Sequence, residues 1–436
     1  MGNDSLANKA IKILRRYPLC DRCLGRMFAR LGLALSNKDR GRALKISAVM
    51  EIHRKLILGK EDMEILKQLS PRLSPYADGL SIKYFGEKPE PERCYLCGNL
   101  VETLMEEATE KGIELLSSSE SQRFLVGVKL SKEIHEKEEK LKSEFGLPYA
   151  ESIKNELKRE IGKKIQQKGF TVDFDESEAI LIIHFPRGEI ELETSPIFYK
   201  ARYWKIGRYI SQSYWPTREG PPKYPFSVEQ AAKSLLKVHK AEDVIIHASG
   251  REDADARMLG TGRPLVIEVK RPLKRRVEPE IVESALNEGG KGLVKFKVEG
   301  HANRSLVRAY KNELASSRKT YKILVVSEQP LSPEDHEELQ MFFRNKTVEQ
   351  RTPIRVLHRR SDITRRRKVY SVSTMPITTH VFLAVVEAEG GLYVKELVSG
   401  DEGRTQPSFT SVLKKQMVCV DLDVVSVDLG KPLNTV

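Results

Sequence analysis

Residues 250–264 read GREDADARMLGTGRP. Arg251, Glu252, Asp253, Asp255, Arg257 and Arg263 crowd into this stretch beside Gly250, Gly260 and Gly262. Strand-like apolar runs flank it, Val244–His247 before and Leu265–Val269 after. The glycines permit tight turns, so the pattern predicts a strand–loop–strand element that gathers unlike charges in one place. The whole chain has 74 Lys and Arg against 61 Asp and Glu, a net charge of +13 over 436 residues. Such a surplus favours nucleic acid or an anionic membrane surface as partner. Carboxylates on a polyanion-binding face repel phosphate. One kept there serves as nucleophile, general base or metal ligand.

Composition narrows the classes further. No apolar run approaches the roughly 18–20 residues of a membrane span, so no membrane partner is expected. The start, MGNDSLANKAIK, has no apolar signal region, and five cysteines in a chain this long are no disulfide scaffold. A cytoplasmic protein is expected, with a monomer favoured. At roughly 100–200 residues per domain the length predicts two to four domains. The richness in Lys, Glu and Arg also suits a heat-adapted organism.

Four of the cysteines form two C-x-x-C pairs, Cys20/Cys23 in PLCDRCLGR and Cys94/Cys97 in ERCYLCGNL. Two such knuckles supply the four thiolates of a tetrahedral structural zinc site. Helical pattern fills the gap between them, over Ala43–Lys60 and Asp62–Leu69. A charged helix is predicted over Ser131–Glu144. A better one runs from Ala150 to Lys168, where Ile153, Leu157, Ile161 and Ile165 make one buried stripe. Strands are predicted at Ala179–Phe185 and Glu189–Glu193. Residues 195–216 (SPIFYKARYWKIGRYISQSYWP) interleave aromatic and cationic side chains, Tyr203 and Arg208 among them, which suits stacking on bases with phosphate contact. TREGPPKYP at 217–225 reads as a linker. Beyond it, Ser227 and Gln230 fit a capping box. Strands then alternate with loops at Tyr321–Val326, Arg355–His358, Val381–Val386, Leu392–Leu397 and Val420–Val427. The fold class is α+β with a mixed, largely antiparallel sheet. The expected organisation is a helical zinc-binding module over 1–104, an RNA-binding domain over 105–216 and a catalytic domain over 217–436.

Two further segments carry function. From Arg351 to Tyr370, Arg351, Arg355, Arg359, Arg360, Arg365, Arg366, Arg367 and Lys368 face one acid, Asp362, a net +7 and a strong phosphate-binding candidate. In GGLYVKELVSGDEGRTQPS, residues 390–408, Lys395 sits between apolar neighbours in a predicted strand, and a partly buried lysine needs a carboxylate partner.

These three segments together resemble the pseudouridine synthases. More narrowly, they resemble the archaeal and eukaryotic type that acts on adjacent tRNA T-loop uridines, numbered 54 and 55. The knuckles and the basic region from about 104 to 216 resemble that family's zinc-bearing, THUMP-like RNA-binding half. The resemblance implies that tRNA is the partner, through its T-arm and acceptor end, and that no redox or nucleotide cofactor is needed. EGGKG at 288–292 lacks the Ser/Thr that follows a P-loop. Gly250, Arg251, Glu252 and Asp253 match the family's G-R-x-D-like turn, which implies Asp253 as the essential carboxylate, acting as nucleophile or as base at C2′, with Asp255 its competitor. Tyr321 in RKTYKILVV matches the active-site tyrosine. Val394 and Lys395 match the apolar–cation pair, with Leu422 a pocket wall. Lys395 is then expected to hold Asp253 by a salt bridge. The implied reaction breaks the N1 glycosidic bond of a flipped uridine, rotates the base and rejoins it through C5.

Two other readings compete. Glu268-Val269-Lys270 with Asp253 or Asp255 fits the loose D…E-x-K pattern of magnesium-dependent nucleases. A non-enzymatic RNA-binding scaffold needs only the basic segments.

Overall fold

The computed structural model describes residues 5–61, 63–312 and 317–428, apart from the side chains of Lys311, Asn312 and Arg359. It divides after Thr194 into two units. The first holds helices α1 (Leu6–Arg16), α2 (Asp21–Arg26), α3 (Asn37–Ile57), α4 (Met63–Leu73), α5 (Asp78–Phe85), α6 (Val101–Ser118), α7 (Lys132–Phe145) and α8 (Ile153–Gln166). Ser5, Ser36, Ser131 and Ser152 start α1, α3, α7 and α8, each accepting a backbone N–H three residues on. The Ser36 cap explains why α3 begins earlier than its apolar pattern suggests. The stripe of Ile153, Leu157, Ile161 and Ile165 is fully buried, each side chain contributing about 1.5–3 kcal/mol by leaving water. It packs in one core with a sheet ordered β2-β1-β3-β4, made of β1 (Arg123–Leu130), β2 (Thr171–Val172), β3 (Ala179–Phe185) and β4 (Glu189–Thr194). β1 runs parallel to β2 and β3, and β4 antiparallel to β3.

The second unit is built on β5 (Ile197–Lys205), β6 (Asp243–Ala248), β7 (Arg257–Lys270), β8 (Val294–Ala302), β9 (Arg318–Ser327), β10 (Lys346–Arg351), β11 (Thr364–Pro376), β12 (Val381–Glu389), β13 (Thr405–Gln406) and β14 (Met417–Asp428). The order is β13-β10-β11-β12-β9-β14-β7-β5-β8, with β6 also on β7. All pairings are antiparallel except β14 with β7. The sheet is thus mixed and largely antiparallel, as expected. Residues 217–225 form neither helix nor strand, and Ser227 caps the short α9 (Val228–Ala232) through the Gln230 N–H.

β7 organises the site. β5 takes one of its edges. The other edge is split: β6 pairs with the stretch from Leu265 to Lys270, and β14 only with Arg257 and Met258. The β6–β7 loop, Ser249–Ala256, comes out where that edge changes partner. Gly260 is required at this seam, for it sits at φ +52 and a Cβ there would meet the Val425 carbonyl oxygen at 1.9 Å.

Two predicted strands are not strands. Val394–Ser399 is helix α14 (after α10, Leu235–His239, α11, Pro279–Gly289, α12, Arg304–Asn312, and α13, Pro333–Phe342). Its buried residues Val394, Leu397 and Val398 follow helical spacing rather than alternation. Ile354–Arg359 is a 3-10 turn. Pro353 leads into it, and the Ile354 N–H is captured by the Asp401 carboxylate at 3.1 Å, so no ladder forms.

Candidate active site

A cleft of about 560 Å³ opens beside the β6–β7 loop, within the size range of small-molecule sites. Arg251, Asp253, Tyr321, Val394, Lys395 and Leu422 all line it. Loop, strand β9, helix α14 and strand β14 therefore bring together every residue expected to act on the base. Tyr321, Val394 and Leu422 are buried and supply apolar wall. Burial pushes the Tyr321 phenol up to about 12, so it remains protonated and uncharged at neutral pH.

Buried ion pairs hold the loop. The Glu252 carboxylate accepts from Tyr203 Oη at 3.0 and 3.1 Å and from Arg263 Nε at 2.9 Å, with Lys205 Nζ at 3.5 Å. Burial alone would raise this carboxyl; Arg263 and Lys205 outweigh it and hold Glu252 below the usual range. Lys205 also donates to the carbonyls of Ile210, Asp253 and Ala254, and Arg263 to that of Ser249. Glu252 is therefore an anchor, and the extra charge around Asp253 is accounted for. Asp253 itself is half-buried and faces the cleft, with Arg355 Nη2 at 2.9 Å. Arg355 is fixed in turn by Glu396 at 2.6 Å, a carboxylate only 5% exposed.

Several expectations are corrected. Lys395 pairs with Asp255, not Asp253. It stands on a helix, whose direction takes its ammonium to the carboxylate two residues further along the loop. Burial would raise Asp255, and Lys395 brings it below the usual carboxylate range. Tyr203 is fully buried, its hydroxyl committed to Glu252 and Gln212, so it presents no face to RNA. Arg208 is committed as well: it donates to the carbonyls of Asp255 and Leu422 and to Asp423 at 2.8 Å, tying the loop to β14. Arg257 grips the same Asp423 with two nitrogens, at 2.6 and 2.8 Å.

The arginine run divides by strand alternation. Arg365 and Arg367 on β11 line the cleft, as do Arg355 and Arg360 ahead of it. Arg366 points to the other face and pairs with Glu349 at 2.6 Å. The side chain of Arg359 lies outside the described residues. Sequence reading noted Arg263 only as one of the loop's charges and assigned no anchoring role to it, to Lys205 or to Glu396. The strict alternation of β5, with Ile197, Tyr199, Ala201, Tyr203 and Lys205 turned inward, carries the signal for Lys205.

The nuclease constellation does not assemble. Glu268 is held by His247 at 2.7 Å. Among the described residues the metal-ligand grouping is that of Cys20, Cys23, Cys94 and Cys97, whose sulfurs all lie within 4.8 Å of one another. Tetrahedral zinc at a Zn–S length of ~2.3 Å separates its sulfurs by about 3.8 Å; Cys20 and Cys97 stand 3.6 Å apart. The donor set thus fits a four-thiolate metal site. No helix among the described residues is long and apolar enough to cross a membrane.

The model of the Pus10 C-terminal region matches residues 198–428, and that of the archaeal Pus10 THUMP domain matches residues 108–184. The chain is 48% identical, over 97% of both chains, to the tRNA pseudouridine synthase Pus10 of Aeropyrum pernix. It is 44% identical to that of Ignisphaera aggregans, over 97% of this chain and 99% of the other. With that of Thermosphaera aggregans the identity is 40%, over 98% of this chain and all of the other.

Proposed function

The chain belongs to the Pus10 family of tRNA pseudouridine synthases, and from that premise we propose that it isomerises T-loop uridines of tRNA, at position 54, 55 or both, with Asp253 as the essential carboxylate. The observation that carries this is the placement of Asp253, the one carboxylate of its loop both open to the cleft and set beside Tyr321, Val394 and Leu422. Glu252 is buried in its anchor and Asp255 is occupied by Lys395.

The division of labour follows from the surroundings. Arg251, Arg360 and Arg365 hold backbone phosphates of the T-arm and turn the target nucleotide into the cleft. Tyr321 stacks on the uracil, against the apolar wall of Val394 and Leu422. Asp253 meets the nucleotide beyond the base, with its charge countered by Arg355. The Lys205, Arg263 and Arg208 contacts pin the loop on both sides, so the carboxylate is positioned before substrate arrives. In the first unit, Cys20, Cys23, Cys94 and Cys97 hold a structural zinc that takes no part in the chemistry. The enzyme works in the cytoplasm and needs no redox or nucleotide cofactor.

The test incubates unmodified tRNA transcript with wild-type and Asp253→Asn protein and maps pseudouridine by carbodiimide-dependent primer-extension stops. A T-loop stop with wild type, absent with the variant, is expected, at unchanged transcript length with or without EDTA. Stops with both proteins remove Asp253 from its role. Cleavage that EDTA abolishes replaces the reading with a metal nuclease. For the metal, elemental analysis of fresh protein should return about one zinc per chain; well under one equivalent overturns the four-thiolate site.

A further inference from the structure

Lys319 has no part in the arrangement so far. It precedes Tyr321 by two positions on β9, and alternation along the strand puts both side chains on one buried face. It is 6% exposed and lines the cleft. Among the described residues its ammonium has neither a side-chain hydrogen bond nor an ion pair. The neighbouring charges do not relieve it: Arg263 and Arg367 are cations, and Glu252 is already shared by Arg263 and Lys205. Burial first, then Arg263, push Lys319 down to about 8. A single unsatisfied nitrogen lies in the same cleft. Arg367 Nε is buried without a partner, while its Nη1 donates to the Arg366 carbonyl at 2.8 Å and lies 4.0 Å from Glu389. A buried ammonium left unpaired is strongly destabilising, so Lys319, beside the free Nε of Arg367, implies an acceptor brought by the substrate.

Position selects that acceptor. Phosphates are served by the exposed arginines at the rim, whereas Lys319 is deep. Two residues along a strand span about 6.6 Å, so a base resting on the Tyr321 ring turns an edge toward Lys319. The edges of uracil carry two carbonyl oxygens. Resting on the pseudouridine synthase reading of the cleft, we propose that Lys319, with the Arg367 guanidinium, donates to a carbonyl oxygen of the flipped uracil and offsets the charge of the detached base. When the C1′–N1 bond breaks, its electron pair stays with the ring, and negative charge spreads over N1 and the carbonyl oxygens. C5 then bonds to C1′, the C5 proton leaves and N1 takes one up, which balances the isomerisation. Donors aimed at developing charge in a water-poor site stabilise that step far more than the ground state. The same donors disfavour cytosine, whose 4-amino group would meet them as another donor.

The experiment measures single-turnover rate and tRNA affinity of the full chain, with wild type and Lys319→Met. The rate should fall about 100-fold and affinity change by less than about twofold. The melting temperature should hold or rise, because an unpaired buried charge is gone. An unchanged rate, or rate and affinity falling together, overturns the assignment. A second measurement uses transcripts with sulfur in place of a carbonyl oxygen of the target uridine. One of the two substitutions should slow wild type and leave Lys319→Met indifferent; equal sensitivity, or none in wild type, overturns it as well. Wild type that makes no pseudouridine at all instead overturns the underlying reading of the cleft.

Discussion

Each unit buries a cluster of unlike charges, and the two clusters differ in what they leave uncovered. In the first, Arg26 lies between Glu138 and Glu156, all three side chains 1% exposed. In the second, Glu252 is equally buried among Arg263, Lys205 and Tyr203. The two glutamates shift in opposite directions. Burial pushes Glu156 up, and Arg26 and Arg22 do not overcome it. Glu252 is brought down despite burial. The reason is sharing: Glu156 divides Arg26 with Glu138 and Arg22 with Glu102, whereas Glu252 has two cations and a phenol converging on it. A well-compensated cluster can carry a neighbour in a fixed open position, and only the second cluster has such a neighbour, Asp253.

That contrast can be tested at several strengths. Asp253→Asn should cost the most, roughly 10⁴-fold in turnover, with a melting temperature close to wild type because the side chain is half open to solvent. Loss of fold with loss of activity would make Asp253 part of the anchor. Glu252→Gln leaves Arg263 and Lys205 unpaired and should cost about 3–5 kcal/mol in denaturant unfolding. Its pH signature has a definite sign. A carboxyl depressed by folding contributes stability that is complete above its unfolded value, about 4, and is lost as pH falls through the lower folded value. The variant should lack that part of the acid slope. Lys395→Met should lower turnover roughly tenfold to a hundredfold with little change in tRNA affinity, since it frees Asp255 and only indirectly misplaces Asp253; an effect as large as that of Asp253→Asn would mean that the lysine changes partner when RNA binds. Glu156→Gln should cost least, about 1 kcal/mol, because the folded protein already disfavours that charge. A cost equal to that of Glu252→Gln would erase the distinction between the clusters.

What the sequence disclosed was local. The α8 stripe, the paired knuckles and the charged turn at Asp253 are patterns within short windows, and each is where it was expected. Partners across long separations were not legible. Lys395 meets Asp255, and Arg355 meets Asp253, only after β14 and α14 pack beside the loop. The aromatic and cationic interleaving of β5 misled in an instructive way. Alternation sends Tyr203 and Lys205 inward and Arg202 and Trp204 outward, so one stretch that reads as a single RNA-binding surface is half core. The neighbourhood of Lys319 was hidden for the same reason, since nothing in RKTYKILVV shows that its lysine lacks a carboxylate.

The short parallel seam between β14 and β7 has a consequence for biosynthesis. Met258 and Arg257 leave the ribosome long before Val424 and Asp423, their partners in the seam. Until those late residues emerge, Arg257 and Arg208 have no Asp423 to grip, and the cleft lacks its Leu422 wall. From its synthesis until β14 emerges, Asp253 of the nascent chain therefore has no complete cleft around it, and the proposed catalytic competence arrives with that strand.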